Sequence, residues 1–159
     1  MAKILVAYYS RTKHTQHMAE AIAQGARAVA GTSVEVKSIA GLAAKELLDY
    51  DAIVLGSPTY YGSMAAEIKK LLDDSVAFHG RLSGKVGGAF ASSANIGGGN
   101  ETTILDILNA LLIHGMVIQG SHMGDHYGPV AIGDIDDRSR NNCVNYGKII
   151  AQLTVRLHG

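Results

Sequence analysis

Residues 3–22 read Lys-Ile-Leu-Val-Ala-Tyr-Tyr-Ser-Arg-Thr-Lys-His-Thr-Gln-His-Met-Ala-Glu-Ala-Ile. Residues 3–9 form a nearly unbroken apolar run, the pattern of a strand covered on both faces. From residue 15 to 29 the period changes to that of a helix, with Met18, Ile22 and Ala26 at i, i+4 and i+8. The turn between them decides what the unit can hold. A dinucleotide fold needs glycines here, and a P-loop needs a glycine-rich run ending in Lys-Ser or Lys-Thr. Neither pattern is present. Instead Ser10, Arg11, Thr12, Lys13, His14 and Thr15 put three hydroxyls and several cationic side chains just ahead of a helix start. Free N–H groups and the positive dipole end of that helix suit a phosphate monoester. Ordinary N-capping is the competing reading, and it needs only one hydroxyl.

The same strand-then-helix alternation continues along the chain. Further apolar runs lie at 34–39, 52–56, 86–90 and 116–119, and helical spacing recurs at 65–72, 101–112 and 138–157, with a short helical piece at 42–48. Regular alternation implies right-handed βαβ units and an α/β fold, a parallel sheet with helices on both faces. No linker or internal repeat divides the chain, so residues 1–159 are read as a single domain. Residues 120–137 are the least regular stretch and read as a long surface loop before the last helix.

Composition excludes several classes. Lys plus Arg and Asp plus Glu number 14 each, so the formal net charge is zero. Nucleic-acid binding needs a basic field, and an anionic membrane surface needs a basic patch. No apolar run approaches the ~20 residues that span a bilayer. The N-terminus has no signal-peptide pattern. Cys143, the single cysteine, allows neither an internal disulfide nor a cysteine metal cluster, and a cytoplasmic address is the default.

In an open α/β sheet, ligands bind beyond the carboxyl ends of the strands where strand order reverses. The loops after the third and fourth strands therefore matter alongside the first. After the third come Gly56-Ser57-Pro58-Thr59-Tyr60-Tyr61-Gly62-Ser63-Met64. Pro58 stiffens the turn, Gly62 permits a sharp return, and the two tyrosines can lie against a planar ring or simply be half-buried. After the fourth come Ser92-Ser93-Ala94-Asn95-Ile96-Gly97-Gly98-Gly99-Asn100-Glu101-Thr102-Thr103. The glycines allow close backbone approach to a ligand, and Asn100 or Thr102 is suited to cap the following helix.

These residues resemble flavodoxin-like proteins, and more closely the WrbA-type NAD(P)H:quinone oxidoreductases. The strongest matching pieces are Ser-Pro-Thr-Tyr-Tyr-Gly-Ser-Met at 57–64, Gly-Gly-Gly-Asn-Glu-Thr-Thr-Ile at 97–104 and His-Gly-Met-Val-Ile at 114–118, with Tyr127-Gly128 as a smaller one. The resemblance implies a three-layer sandwich with a five-stranded parallel sheet in the order 2-1-3-4-5. It implies FMN, with residues 10–15 on the phosphate, Pro58, Thr59, Tyr60, Tyr61 and Gly62 along one side of the isoalloxazine, and Ser92, Ser93, Ala94, Asn95, Ile96 and Gly97 along the other. It also implies NAD(P)H as co-substrate, a quinone or similar acceptor, and a homo-oligomer, dimer or tetramer. Three departures stand out. Lys13 occupies a position that is usually glycine in the family, Ile113 stands where a flavin-contacting histidine is common, and the segments after strands two and five are short.

Two functions fit: two-electron reduction of quinones by NAD(P)H, or one-electron carriage between redox partner proteins. A module that has lost redox activity is a third, and the hydroxyls at 10, 12 and 15 argue against it. His126 and Tyr127 are candidates for guiding an acceptor or proton, with loop packing as the alternative. His14 and His17 lack further ligands for zinc, so no metal is expected. Asp134, Asp136 and Asp137 resemble the start of a calcium loop without its later glycine and glutamate, and helix capping explains them better.

Overall fold

The computed structural model describes residues 1–159. Its elements are β1 (Ala2–Tyr8), α1 (His14–Arg27), β2 (Thr32–Ser38), a 3-10 turn (Ala44–Asp49), β3 (Ala52–Tyr60), β4 (Ser63–Met64) and α2 (Ala66–Asp74). A second 3-10 turn (Ser75–Phe78) leads to β5 (Val86–Ser93), α3 (Asn100–Ile113), β6 (Val117–Ile118), β7 (Val130–Ile132) and α4 (Asp137–His158). The parallel strands run in the order β2-β1-β3-β5-β6, and β7 also pairs with β5 in parallel. Counting β6 and β7 as two pieces of one strand, and β4 as a hairpin return, this is the expected 2-1-3-4-5 order.

Side chains alternate between two apolar layers, as strand geometry requires. Leu5, Ala7, Ile53 and Leu55 pack with Ile68, Leu71, Ile104, Ile107 and Leu111 of α2 and α3. Ile4, Val6, Ala52 and Val54 pack with Met18, Ile22, Cys143 and Ile150 of α1 and α4. Cys143 is fully buried there, and burial pushes its thiol up to about 12, so it is a packing residue and not a thiolate. α1 and α4 meet backbone to backbone. A Cβ at Gly147 would lie 1.9 Å from the Ile22 carbonyl oxygen, and one at Gly25 would lie 1.9 Å from that of Val144.

The long loop expected at 120–137 is corrected by β7. Beyond Val117 and Ile118, paired with Val86 and Gly87, the chain leaves the sheet and returns at Val130 opposite Ala91. The interruption exposes the edge of β5, and two groups fill the gap. The Tyr146 hydroxyl accepts the Ala89 N–H at 3.2 Å, and the Pro129 carbonyl accepts that of Ala91 at 3.1 Å. Gly128, at φ 142°, passes so close that a Cβ would sit 2.1 Å from the Ala89 oxygen. The capping expected of the acidic cluster is present: Asp136 accepts the Ser139 N–H at 2.7 Å, and Ser139 Oγ accepts the Asp136 N–H at 2.8 Å.

At the opposite end of the sheet, His114 is 7% exposed. Ser75 Oγ donates to the Leu72 carbonyl at 2.6 Å, so His114 Nε2–H must donate to Ser75 Oγ at 2.7 Å, leaving Nδ1 bare. Nδ1 is the one buried side-chain polar atom without a partner. Burial, and secondarily the charge of nearby His79, pull the His114 pKa below the usual 6.5. The unfolded chain therefore takes up this proton first. Stability is fully present above about pH 6.5 and is lost as pH falls through the interval down to the folded value. Urea midpoints of the wild type should fall between pH 7 and pH 5, and His114→Gln should remove that part of the fall. Equal slopes in the two proteins would contradict the assignment.

Candidate functional site

The three candidate segments leave the same end of neighbouring strands. Tyr8 lies opposite Gly56, and Pro58 opposite Ser92, so the exits of β1, β3 and β5 are side by side. The first exit opens α1. Its N-cap is Lys13 at φ 70°, and no side chain caps the helix. The His17 N–H is the first to find a carbonyl across this boundary, that of Lys13 at 2.9 Å. The N–H groups ahead of it are thus presented outward. One-hydroxyl capping, the competing reading, is not what the chain does. Lys13 adopts a left-handed backbone that glycine takes freely, at a cost of about 1–2 kcal/mol for an L-residue. Ser10 is half-buried, while Arg11, Thr12 and Lys13 are exposed. Thr15 is buried, and its Oγ1 lies 3.0 Å from Ser92 Oγ, joining the first loop to the end of β5. Uncapped amides, hydroxyls and cationic side chains thus surround one helix start, an arrangement suited to an anion.

The second segment differs from the loop expected at 58–62. β3 continues to Tyr60 and turns back through β4, pairing Thr59 with Met64 and Tyr60 with Ser63. The connecting residues are Tyr61 at φ 48° and Gly62 at φ 80°, a two-residue turn of the kind that hairpin twist favours. Tyr61 projects fully into solvent at the tip, and Tyr60 is 38% exposed with its ring edge-on to Tyr9. At the base, Ser57 Oγ accepts the Ala65 N–H at 2.8 Å.

The third segment is braced from within. Ser93 Oγ donates to the Asn95 carbonyl at 3.0 Å and accepts from Asn100 Nδ2 at 3.1 Å. Ala94, Asn95, Ile96 and Gly97 are exposed. The glycines divide their work. Gly97 turns the chain at φ 65°, while Gly99 packs against Gly62, where a Cβ would come within 2.7 Å of the Gly62 Cα. Gly99 is also the N-cap of α3, which corrects the expectation that Asn100 or Thr102 would be. Those threonines act otherwise: Thr102 Oγ1 donates to the Gly62 carbonyl at 2.6 Å, and Thr103 Oγ1 to Thr59 Oγ1 at 3.1 Å. These ties, and the Thr15–Ser92 pair, lie between residues tens of positions apart and have no local sequence signal.

Other candidates fall elsewhere. His126 Nδ1 donates to the Ser121 carbonyl at 2.8 Å, which fixes its tautomer, and Tyr127 is 49% exposed on the same excursion. His17 is paired with Asp134 at 2.8 Å, which holds the Asp134 carboxyl below its usual range. Ile113 ends α3, 14 residues from Gly99, or roughly 20 Å along a helix. Position 113 is thus remote from the β5 exit within one chain, and Ile113 lines a cleft of about 680 Å³ with Tyr60, Met64, Asp106 and Ala110.

A family model described as NADPH-dependent FMN reductase matches residues 3–128. The chain belongs to that family. It is 36% identical to an NAD(P)H dehydrogenase (quinone) of Rhodopseudomonas palustris strain BisA53, with all of both chains covered over 201 aligned positions. Against 159 residues here, 201 positions leave 42 to insertions carried by the relative, in keeping with the short segments noted above. Among solved structures, a WrbA-like flavodoxin of Agrobacterium tumefaciens superposes with a TM-score of 0.83 at 26% identity, covering 99% of each chain. An archaeal flavodoxin gives 0.80 at 27% identity, covering 96% of this chain and 99% of its own. The flavodoxin-like fold and the WrbA-type resemblance are both borne out. As a family member the chain carries the hydroxyl-lined helix start in its FMN reductase segment, ahead of the α4 helix that lies beyond the match.

Proposed function

We propose that this member of the NADPH-dependent FMN reductase family binds FMN across the exits of β1, β3 and β5 and reduces quinones or similar acceptors with NAD(P)H. The observation that carries the reading is the uncapped start of α1, flanked by hydroxyls and set beside two braced loops at the same sheet edge. Bound there, FMN supplies hydride acceptance and two-electron delivery. The chain's own residues bind and orient. Ser10, Thr12 and Thr15 with the α1 amides hold the phosphate, aided by Arg11, Lys13 and His14. Residues 58–62 and 92–97 would flank the ring. No protein acid or base is obligatory. His126, whose Nδ1–H is spent on Ser121, has Nε2 left to exchange a proton with an acceptor, and Tyr127 stands beside it.

The quinone dehydrogenase name of the R. palustris relative supports a small-molecule acceptor. The flavodoxin relatives favour a second reading, one-electron carriage. Zero net charge weakens it, because carriers steer partners with a charged face. No helix is long and apolar enough to cross a membrane, and a buried lone cysteine suits a cytoplasmic address. Leu105, Leu112 and Ile113, exposed on α3, would suit the contact surface of a dimer or tetramer. FMN-loaded protein should oxidise NADH or NADPH in the presence of benzoquinone. An FMN-loaded protein inert to both nicotinamides would favour the carrier.

A further inference from the structure

The tip of the β3–β4 hairpin is fastened to α3 through a single hydroxyl that has two carbonyls to choose from. Thr102 Oγ1 lies 2.6 Å from the Gly62 oxygen and 2.8 Å from the Gly99 oxygen. A threonine hydroxyl carries one proton, so it serves one of them at a time. Thr103 Oγ1 also reaches the Gly99 oxygen, at 2.8 Å, and Thr59 Oγ1 at 3.1 Å. The Gly99 oxygen also accepts the Thr103 N–H at 3.0 Å, so it is satisfied whichever way the Thr102 hydroxyl turns; when that hydroxyl turns to Gly99, the Gly62 carbonyl is released to water. The rest of the hairpin stays tied in both arrangements, because Ser63 Oγ donates to Asp106 Oδ2 at 2.6 Å. Only the tip changes hands. That tip carries Tyr61 at φ 48°, a backbone that the two-residue turn between Tyr60 and Ser63 imposes and a bulky side chain adopts at a cost. The missing side chain of Gly99 lets the two backbones touch where the latch closes.

We infer that Thr102 is a positioning residue whose hydroxyl latches the Tyr61–Gly62 tip and thereby sets how long FMN stays bound. The inference rests on the FMN reading. Thr102 is exposed, so its substitution leaves the core intact. Thr102→Val keeps the shape and removes the hydroxyl, while Thr102→Ser keeps the hydroxyl. FMN release, followed by fluorescence after dilution, should be about two- to tenfold faster in Thr102→Val, the range of one lost neutral hydrogen bond. Thr102→Ser should return to within about twofold of wild type. Without FMN, amide exchange at residues 61–63 should also quicken in the valine variant and not in the serine one. A valine variant with wild-type release and exchange, or a serine variant as fast as valine, overturns the latch alone. A wild-type protein that retains no FMN overturns the latch together with the reading beneath it.

Discussion

Thr12→Ala combined with Thr15→Ala is expected to weaken FMN binding by about 10²–10⁴-fold. A hydrogen bond to a charged group contributes about 1.5–3 kcal/mol, and each 1.4 kcal/mol is tenfold. The two positions differ in how they act. Thr12 sits on the exposed turn ahead of α1 and can only lose its contact with the phosphate. Thr15 is buried against Ser92, so its removal also strands the Ser92 hydroxyl and should cost about 1 kcal/mol of stability without ligand. Thr12→Ala alone should therefore affect affinity and leave the urea midpoint unmoved. Fluorescence titration separates these effects, and an affinity for the double variant within threefold of wild type would overturn the phosphate assignment.

Gly147→Ala is expected to cost about 3 kcal/mol or more of folding stability. Ordinary overpacking costs about 1–3 kcal/mol because flexible side chains give way. Here the new methyl meets the Ile22 carbonyl oxygen at 1.9 Å and the Ala26 nitrogen at 2.9 Å, and neither can rotate aside. α1 and α4 would have to part, opening the layer that holds Met18, Ile22, Cys143 and Ile150. Gly25→Ala should act alike, since its neighbour is the Val144 carbonyl across the same crossing. Because α1 carries the proposed phosphate site at its other end, such variants should also bind FMN more weakly. A urea-unfolding free energy within 1 kcal/mol of wild type would show that the helices separate more easily than their contacts suggest.

Much of the fold was legible because the strands are buried on both faces and say so. Residues 86–90 and 52–56 are continuous small and apolar runs, and β5 and the start of β3 are buried throughout. The hydroxyl-rich turn at 10–15 was legible for a similar reason: its composition fits neither a dinucleotide loop nor a P-loop, and a helix follows it directly. Where the reading fell short, the deciding contact was distant. The strand at 130–132 is three residues long, and only the edge of β5, closed off by Tyr146, makes it a strand. The extension of β3 to Tyr60 depends on a return through Ser63 and Met64 that has an unusual tyrosine in a positive-φ position. The run Gly97-Gly98-Gly99 suggests close backbone approach to a ligand, and at Gly99 the close approach is to Gly62. Lys13 shows the converse, since a backbone normally reserved for glycine persists beneath a lysine.

The start of α1 is proposed to recognise a phosphate ester. Parallel titrations with FMN and with riboflavin test it most directly, because the two ligands share the ring and differ only in that group. FMN should bind at one site per chain and at least about 100-fold more tightly than riboflavin, the equivalent of one or two charged hydrogen bonds. Equal affinity for the two, or no binding of FMN, would contradict the account.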